Sequence, residues 1–222
     1  WGMAVGADGY LVQPTDAGQV IDALRTASAS NAPVVARGAG CSYGDAAMNT
    51  GGRVLDLSRM NRILDIDLEN RLARVQPGVR NLQVSEAVAP HGLYYAPDPS
   101  SQIACSIGGN VAENAGGVHC LKYGLTVHNV ASVEVVTIEG DRLTLGSRGP
   151  DAPGLDLLAL MHGSEGLLAV IVEVTVRLLA TPRFARVIVA GFDQVDAAGT
   201  AVATIVASGV VPAGLEMMDR GC

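Results

Sequence analysis

The spacing of hydrophobic residues changes several times along this chain, and each change predicts a different element. Val20, Ile21 and Leu24 recur at helical spacing, so we predict an amphipathic helix that Thr15 or Asp16 caps and that ends near residue 31. Apolar runs without that spacing predict strands instead. The pattern therefore indicates a chain that mixes helices with strands.

The predicted strands form two hairpins and several single runs. Residues 63–69 pair with 72–78, and residues 130–138 pair with 142–145, each across a short polar turn. The remaining predicted elements are strands at 33–37, 54–57 and 168–179, and helices at 81–89 and 156–161. Because hairpins and helices are mixed along the chain, we predict an α+β fold rather than a regular βαβ array.

The pattern changes near residue 182. Beyond it the sequence predicts a strand at 185–192, a helix at 195–208 and a strand at 210–219. We therefore predict one domain over residues 1–182. Residues 183–222 are predicted to begin a second domain, truncated in this sequence.

Charge and hydropathy exclude several classes of partner. The net charge of −7 argues against nucleic acid, which would favour a basic face. Lys122 is the single lysine, so the sequence has no Gly-Lys-Ser/Thr phosphate-binding loop. The longest apolar segment, residues 167–179, contains Glu173 and Arg177, so we predict no membrane span.

Neither the cysteines nor the histidines are spaced as a disulfide framework or a metal site. They are Cys41, Cys105, Cys120 and Cys222, and His91, His119, His128 and His162. We predict reduced thiols in a cytosolic protein, histidines with structural or solvent-facing roles, and no metal.

A glycine-rich loop at residues 37–45 directly follows a predicted strand. A dinucleotide-binding βαβ loop would need a crossover helix, and the turn formers before residue 54 leave no room for one. The residues alone leave two interpretations open. The loop is either a nest of backbone amides for a pyrophosphate or an ordinary tight turn.

Two further segments have the composition of ligand-binding loops. In residues 97–124, paired glycines at 108–109 and 116–117 bracket a short helical turn, which indicates an anion-binding loop. Residues 163–166, Gly-Ser-Glu-Gly, form a turn before the predicted strand. Taken alone, that turn fits a helix end followed by a core strand equally well.

Residues 97–124, with Arg37, Gly38, Ala39, Gly40 and Cys41, closely resemble the FAD-binding segments of the FAD-linked oxidases related to vanillyl-alcohol oxidase. Within that superfamily they are most similar to the FAD-binding subunit of bacterial glycolate oxidase. The resemblance implies a two-subdomain PCMH-type FAD-binding fold, followed by the start of an α+β cap domain. Residues 42–45 depart from this branch and are closer to sugar-oxidising members.

The same resemblance implies which residues contact FAD. They are Arg37, Gly38, Ala39, Gly40, Cys41, Ser42, Gly44, Pro97, Asp98, Ser100, Gly108, Gly109, Asn110, Asn114, Ala115, Gly116, Tyr123, Gly124, Glu165, Gly166, Val170 and Ile171. Catalytic residues are not assigned, because in the family they lie in the C-terminal part. The FAD is expected to be dissociable.

The resemblance also implies an activity: oxidation of a small 2-hydroxy acid, first of all glycolate to glyoxylate, with hydride transfer to flavin N5. The alternatives are a D-lactate or D-2-hydroxyglutarate dehydrogenase of the same family, or a non-catalytic flavin-binding module. Implied partners are a second flavin-type subunit and an iron–sulfur subunit, which would hold a cytoplasmic protein at the inner face of the membrane. The isolated chain is expected to turn over poorly.

Overall fold

The computed structural model describes residues 10–42, 52–147, 149 and 154–219, and it confirms the α+β class. The strands are β1 (Tyr10–Val12), β2 (Val34–Arg37), β3 (Arg53–Asp56), β4 (Ile63–Asp67), β5 (Leu72–Val75), β6 (Leu93–Tyr94), β7 (Val130–Val136), β8 (Arg142–Gly146), β9 (Val170–Arg177) and β10 (Leu179–Ala180). The helices are α1 (Ala17–Ala29), α2 (Asn81–Val88), α3 (Ile107–Glu113), α4 (Cys120–Tyr123), α5 (Thr126–Asn129), α6 (Leu157–Met161) and α7 (Val195–Ala207). Short 3-10 helices follow β3 and α2.

The first sheet is parallel and has the strand order β1-β3-β2. Helix α1 connects β1 to β2, and the Asp16 carboxylate caps it by accepting a hydrogen bond from the Gln19 main-chain N–H at 3.0 Å. The apolar face of α1 buries Val20 and Leu24 against Leu55 of β3. The predicted first helix is thus confirmed, and its hydrophobic face packs as the spacing indicates.

The second sheet is antiparallel, with the order β4-β5-β9-β7-β8, and both predicted hairpins lie in it. Its central strand, β9, pairs with β5 and β7. The predicted strand at 168–179 is interrupted at Leu178, whose N–H donates to the Arg71 carbonyl, and β10 then pairs with β6. Helices α2 and α3 supply Val84, Val88, Ile107 and Val111 to the core of this sheet.

The two sheets meet where β7 ends and β9 begins. Val136 of β7 and Val170 and Val172 of β9 are buried in the same cluster as Val20 and Leu24 of α1. This packing brings the turn before β9 close to β2, since a Cβ on Gly166 would lie 3.8 Å from Ala36 Cβ. The residues that follow β2 therefore face α3 and the start of β9.

Strands β2 and β3 are parallel neighbours, so residues 38–52 cross from one strand to the next. Residues 38–42 form no helix, and residues 43–51, which include Gly44, lie outside the described residues. The prediction that no crossover helix fits here stays a prediction.

Beyond Ala180 the sequence prediction is only partly correct. The helix α7 is confirmed, but residues 185–192 and 210–219 form no strand. A strand needs a neighbour for its main-chain hydrogen bonds, and no described strand lies beside either segment. Val187, Ile188 and Val189 are consequently about 90 % exposed. The domain boundary near residue 182 remains a prediction.

None of the helices in the described part of the chain is long and apolar enough to cross a membrane. The three cysteines that the structure describes, Cys41, Cys105 and Cys120, form no disulfide.

His162, directly after α6, is a buried histidine whose imidazole makes one hydrogen bond among the described residues. Its Nδ1–H donates to the Leu158 carbonyl at 2.8 Å, while Nε2 has no partner among the residues that the structure describes. Burial lowers the pKa of His162 below its ordinary value of 6.5, although the bond to Leu158 opposes this. The fold thus favours the neutral imidazole.

We expect His162 to make the protein sensitive to acid. The unfolded chain takes up this proton near the ordinary pKa, so stability is full above about pH 6.5 and is lost as pH falls through the lower folded pKa. One proton limits the loss to ~1.4 kcal/mol per pH unit. His162→Gln, which keeps an N–H for Leu158, should flatten urea-unfolding free energies between about pH 7 and pH 5. The exposed His91→Gln serves as control, and an unchanged acid slope in His162→Gln would show that another group is responsible.

Candidate functional site

A cavity of about 440 Å³ opens between the end of β2 and the beginning of α3. Three segments line it: the loop after β2, the segment around α3, and the turn that leads into β9. Its volume lies within the range of roughly 300–1,000 Å³ that is typical of small-molecule sites. The three glycine-containing segments singled out in the sequence thus meet at one site.

Three main-chain N–H groups in the loop after β2, those of residues 39–41, have no main-chain acceptor among the described residues. Ala39, Gly40 and Cys41 donate no main-chain hydrogen bond within the described residues. Gly40 has a φ of 69°, a left-handed conformation that glycine adopts without strain. Successive free N–H groups in such a turn form a concave site for an anion.

The Arg37 guanidinium lies over this loop. A Cβ on Gly40 would be 3.2 Å from Arg37 Nε and 3.2 Å from Nη2, so a side chain at this position would require the guanidinium to shift by a few tenths of an ångström. The Arg37 guanidinium makes no hydrogen bond or ion pair with the residues that the structure describes, whereas its main chain belongs to the β2–β3 ladder. The site therefore contains a cation that can engage a ligand.

Asp56 does not compete strongly for Arg37. Its carboxylate accepts hydrogen bonds from Gln13 Nε2 at 2.9 Å and from the Ser58 N–H at 3.0 Å. Burial acts to raise the pKa of Asp56, but these bonds, with a smaller contribution from the charge of Arg37, hold it below its ordinary value. The carboxylate is thus stabilised mainly by other groups.

The N-terminal turn of α3 differs from the sequence expectation of free N–H groups. The N–H groups of Ile107 and Gly108 donate to the carbonyls of Val79 and Pro77, both at 2.8 Å. The Gly109 N–H donates to Ser106 Oγ at 3.3 Å, which caps the helix. The glycines of α3 therefore provide close approach rather than free donors.

That close approach is visible on two sides of α3. A Cβ on Gly108 would lie 2.6 Å from Pro77 Cβ, and a Cβ on Gly38 would lie 2.3 Å from Ser106 Oγ. Real side chains do not tolerate such contacts, so these two glycines allow the hairpin β4–β5 and the loop after β2 to pack on α3. The cavity is shaped by both contacts.

Asn110 is an unsatisfied buried donor in the cavity lining. The residue is 2 % exposed, and its Nδ2 has no nitrogen or oxygen acceptor among the described residues. It borders the Cys105 thiol, a weak acceptor whose pKa burial raises. Because buried donors are normally paired, this amide points to a ligand.

The turn before β9 completes the lining. Glu165 has a φ of 54°, and its N–H donates to the Ala112 carbonyl at 2.9 Å, which attaches the turn to the end of α3. Gly166, with a φ of 76°, follows beside β2. The two positive φ angles turn the chain into β9 next to the cavity.

Most of the residues predicted to contact the cofactor line this cavity. They are Arg37, Gly38, Ala39, Gly40, Cys41, Ser42, Gly108, Gly109, Asn110, Ala115, Glu165, Gly166 and Ile171. The structure does not place the following in the lining: Pro97, Asp98, Ser100, Asn114, Gly116, Tyr123, Gly124 and Val170. Gly44 lies outside the described residues.

Several lining residues were not predicted from the sequence: Ala36, Leu57, Pro77, Ser101, Cys105, Ser106, Ala112, Glu113 and Ala169. Ser106 could have been found, because a serine directly before a helical turn is typical of an N-cap. Pro77 is distant along the chain and reaches the cavity only through its contact with Gly108.

The fold and the site define an α+β flavin-binding protein, and comparison with known proteins agrees. Residues 9–146 match the family model described as an FAD binding domain. Residues 181–222 match a second model, described as the C-terminal domain of FAD linked oxidases. The chain therefore belongs to the FAD-linked oxidase family, and FAD is its cofactor.

Similar proteins carry two kinds of name. Over 211 residues the chain is 60 % identical to the glycolate oxidase subunit GlcD of Escherichia coli K12, which covers 95 % of this chain and 42 % of that protein. The Bacillus subtilis GlcD is 40 % identical over 95 % of the chain and 45 % of its own length. A D-lactate dehydrogenase of Archaeoglobus fulgidus is 35 % identical over 95 % of the chain and 47 % of its own length. The chain thus spans less than half the length of these relatives.

The cavity has the donor chemistry that FAD requires. A pyrophosphate is anionic and accepts hydrogen bonds, and the lining offers a guanidinium, free main-chain N–H groups and the unsatisfied Asn110 amide. Alanines and Ile171 add apolar surface. The residues present therefore fit the cofactor.

Proposed function

We propose that this chain is the FAD-binding part of an oxidoreductase that oxidises a small 2-hydroxy acid. The substrate that we propose is glycolate, which is oxidised to glyoxylate. The observation that carries the proposal is the pairing of an uncommitted Arg37 with free N–H groups in a cavity lined by α3. The 60 % identity to a glycolate oxidase subunit supports the choice of substrate. When bound, FAD supplies the acceptor for the hydride of the substrate α-carbon.

Each lining segment has a proposed role toward the cofactor. Arg37 and the N–H groups of residues 39–41 would neutralise and hold the pyrophosphate. Asn110 Nδ2 would donate to a cofactor oxygen, and Glu113 and Glu165 would accept from hydroxyl or amino groups. Ile171 would exclude water from the site. Together these residues would fix the cofactor's orientation.

The remaining predicted contacts would lie at the flavin end. Pro97, Asp98, Ser100, Asn114 and Gly116 flank Ser101 and Ala115, which line the cavity. We propose the same location, at the flavin end, for three further predicted contacts: Tyr123, Gly124 and Val170. We propose that the groups that hold the substrate carboxylate and accept its hydroxyl proton lie in the C-terminal part of the family's fold. We also propose that the domain boundary lies near residue 182.

We further propose that the chain functions within a multi-subunit enzyme, with a second flavin-type subunit and an iron–sulfur subunit. The relatives named GlcD are themselves subunits, which supports this assembly. The unpaired thiols of the described cysteines are typical of a reducing compartment, so we place the protein in the cytoplasm.

An absorption titration of the purified chain with FAD tests the proposal. We expect saturable binding with a shift of the flavin bands, and release of all flavin on denaturation. Flavin retained on the denatured polypeptide would contradict dissociable binding. A chain that shows no saturation would contradict the cofactor site.

Anaerobic addition of 2-hydroxy acids then tests the substrate. We expect glycolate to bleach the bound flavin only slowly, because the substrate-holding groups are proposed elsewhere in the family's fold. Rapid bleaching by glycolate would contradict that expectation while establishing the substrate. Bleaching by D-lactate or D-2-hydroxyglutarate alone would favour the alternative function as a dehydrogenase of that substrate. The relatives named D-lactate dehydrogenase are the reason to test these substrates.

A further inference from the structure

We propose that Asp98 and His119 form a hydrogen-bonded clasp that positions the flavin end of the cofactor site. The inference rests on the proposed function, because it assigns a role to residues that flank the cavity without lining it. His119 acts as a positioning residue, and Asp98 is both its partner and one of the proposed cofactor contacts. The clasp joins two segments, residues 97–101 and 115–124, that the fold anchors separately.

The contact between the two residues is close and double. His119 Nδ1 lies 2.5 Å from Asp98 Oδ2, and the His119 main-chain N–H donates to Asp98 Oδ1 at 3.3 Å. A carboxylate can only accept, so Nδ1 carries its hydrogen whether or not the imidazole is charged. The charged imidazolium adds Coulomb attraction, so protonated His119 gives the stronger clasp.

The contact between Asp98 and His119 requires a residue without a side chain at position 117. A Cβ on Gly117 would lie 2.3 Å from Asp98 Oδ1 and 2.4 Å from the Asp98 carbonyl oxygen, so a glycine is required between the two residues. The side chains of His119 and Asp98 are 44 % and 21 % exposed. The pair is thus partly sheltered yet reachable by solvent protons.

Aromatic residues and one lysine surround the clasp. The His119 ring lies 6.4 Å from the Tyr123 ring, which packs edge-on against Tyr94 at 6.3 Å, and Lys122 Nζ is 5.3 Å from the Tyr123 ring. Burial, a hydrogen bond with Tyr123 and the charge of Asp98 raise the pKa of Tyr94. Tyr94 therefore remains neutral near neutral pH.

Hydrogen bonds from neighbouring elements anchor each of the two segments separately. Asn81 Nδ2 donates to the Pro97 carbonyl at 3.0 Å, and the Thr126 N–H donates to the Ala115 carbonyl at 3.0 Å. Ser101 and Ala115 reach the cavity from these two segments. The contact between Asp98 and His119 therefore fixes the position of one segment relative to the other at one end of the cavity.

Four variants test the clasp in two measurements. Asp98→Asn leaves one oxygen for two donors, and His119→Gln removes the charge, whereas His119→Arg restores a permanent cation. His91→Gln is the control, because His91 is exposed and outside the clasp. The first measurement is deuterium uptake of the peptide covering residues 115–124 in the cofactor-free chain, corrected for intrinsic pH dependence. The second is FAD affinity by titration.

We expect faster uptake in Asp98→Asn and His119→Gln, with FAD affinity lowered about three- to tenfold, the range of a partly exposed charged hydrogen bond. His119→Arg should stay within about twofold of the parent chain.

Equal uptake in all four variants would overturn the clasp. Altered uptake with unchanged FAD affinity would overturn its role in positioning the cofactor. If the uptake follows the expected order but the parent chain binds no FAD, the clasp is supported as an ordering contact and the proposed function fails instead.

Discussion

Replacing Arg37 by glutamine is expected to weaken FAD binding by about ten- to a hundredfold, the effect of losing one or two charge-assisted hydrogen bonds. The guanidinium lies over Gly40 and has no hydrogen bond or ion pair to any described residue. Its removal costs the fold little, so the effect should fall on the ligand. Titration with FAD, followed by flavin absorbance, measures it.

Arg186→Gln is the matched control for this variant, because Arg186 is exposed and far along the chain from the cavity residues. Both variants should unfold at the temperature of the parent chain. If Arg37→Gln binds FAD as tightly as Arg186→Gln does, the guanidinium does not meet the pyrophosphate and the assignment of the loop after β2 is wrong.

Replacing Gly108 by alanine is expected to destabilise the protein by about 1–3 kcal/mol, the usual cost of overpacking. The added Cβ would lie 2.6 Å from Pro77 Cβ and 3.2 Å from the Pro77 carbonyl oxygen. Neither partner is a flexible side-chain end, so α3 has to shift away from Pro77. Because α3 lines the cavity, FAD affinity should fall as well. Urea unfolding and FAD titration measure the two effects.

The same replacement in α7 provides the control. A Cβ on Gly199 meets nothing within 4 Å, and the residue is exposed inside a helix. Gly199→Ala should therefore stabilise the protein by up to about 1 kcal/mol through helix propensity. Equal effects of the two alanines on the unfolding free energy would refute the close packing of α3 on Pro77.

Elements with strong local patterns were predictable from the sequence. The helix after Asp16, the two hairpins and the helix at residues 81–88 all form where spacing and turn residues indicate them. Their determinants lie within a few residues of one another, as caps, turns and apolar periodicity do. The glycine-rich segments were found for the same reason.

Elements that need a distant partner were not predictable. Residues 185–192 have the apolar run of a strand, yet they form none because no described strand lies beside them. The contact between Pro77 and Gly108 joins residues far apart in the chain, and no local pattern signals it. Pairing of this kind depends on which surfaces the whole fold brings together.

The sequence by itself determined the α+β class, the family and most of the residues that line the cavity, since these depend on local patterns and on residue types. The tertiary structure decided which donors remain available. It satisfies the N–H groups of Gly108 and Gly109 with Pro77 and Ser106, and gives those of residues 39–41 no main-chain partner within the part of the chain that it describes. It also brings Asp98 to His119. The physical reason is that a hydrogen-bond partner and a close backbone approach are properties of two segments in contact, and packing selects those segments.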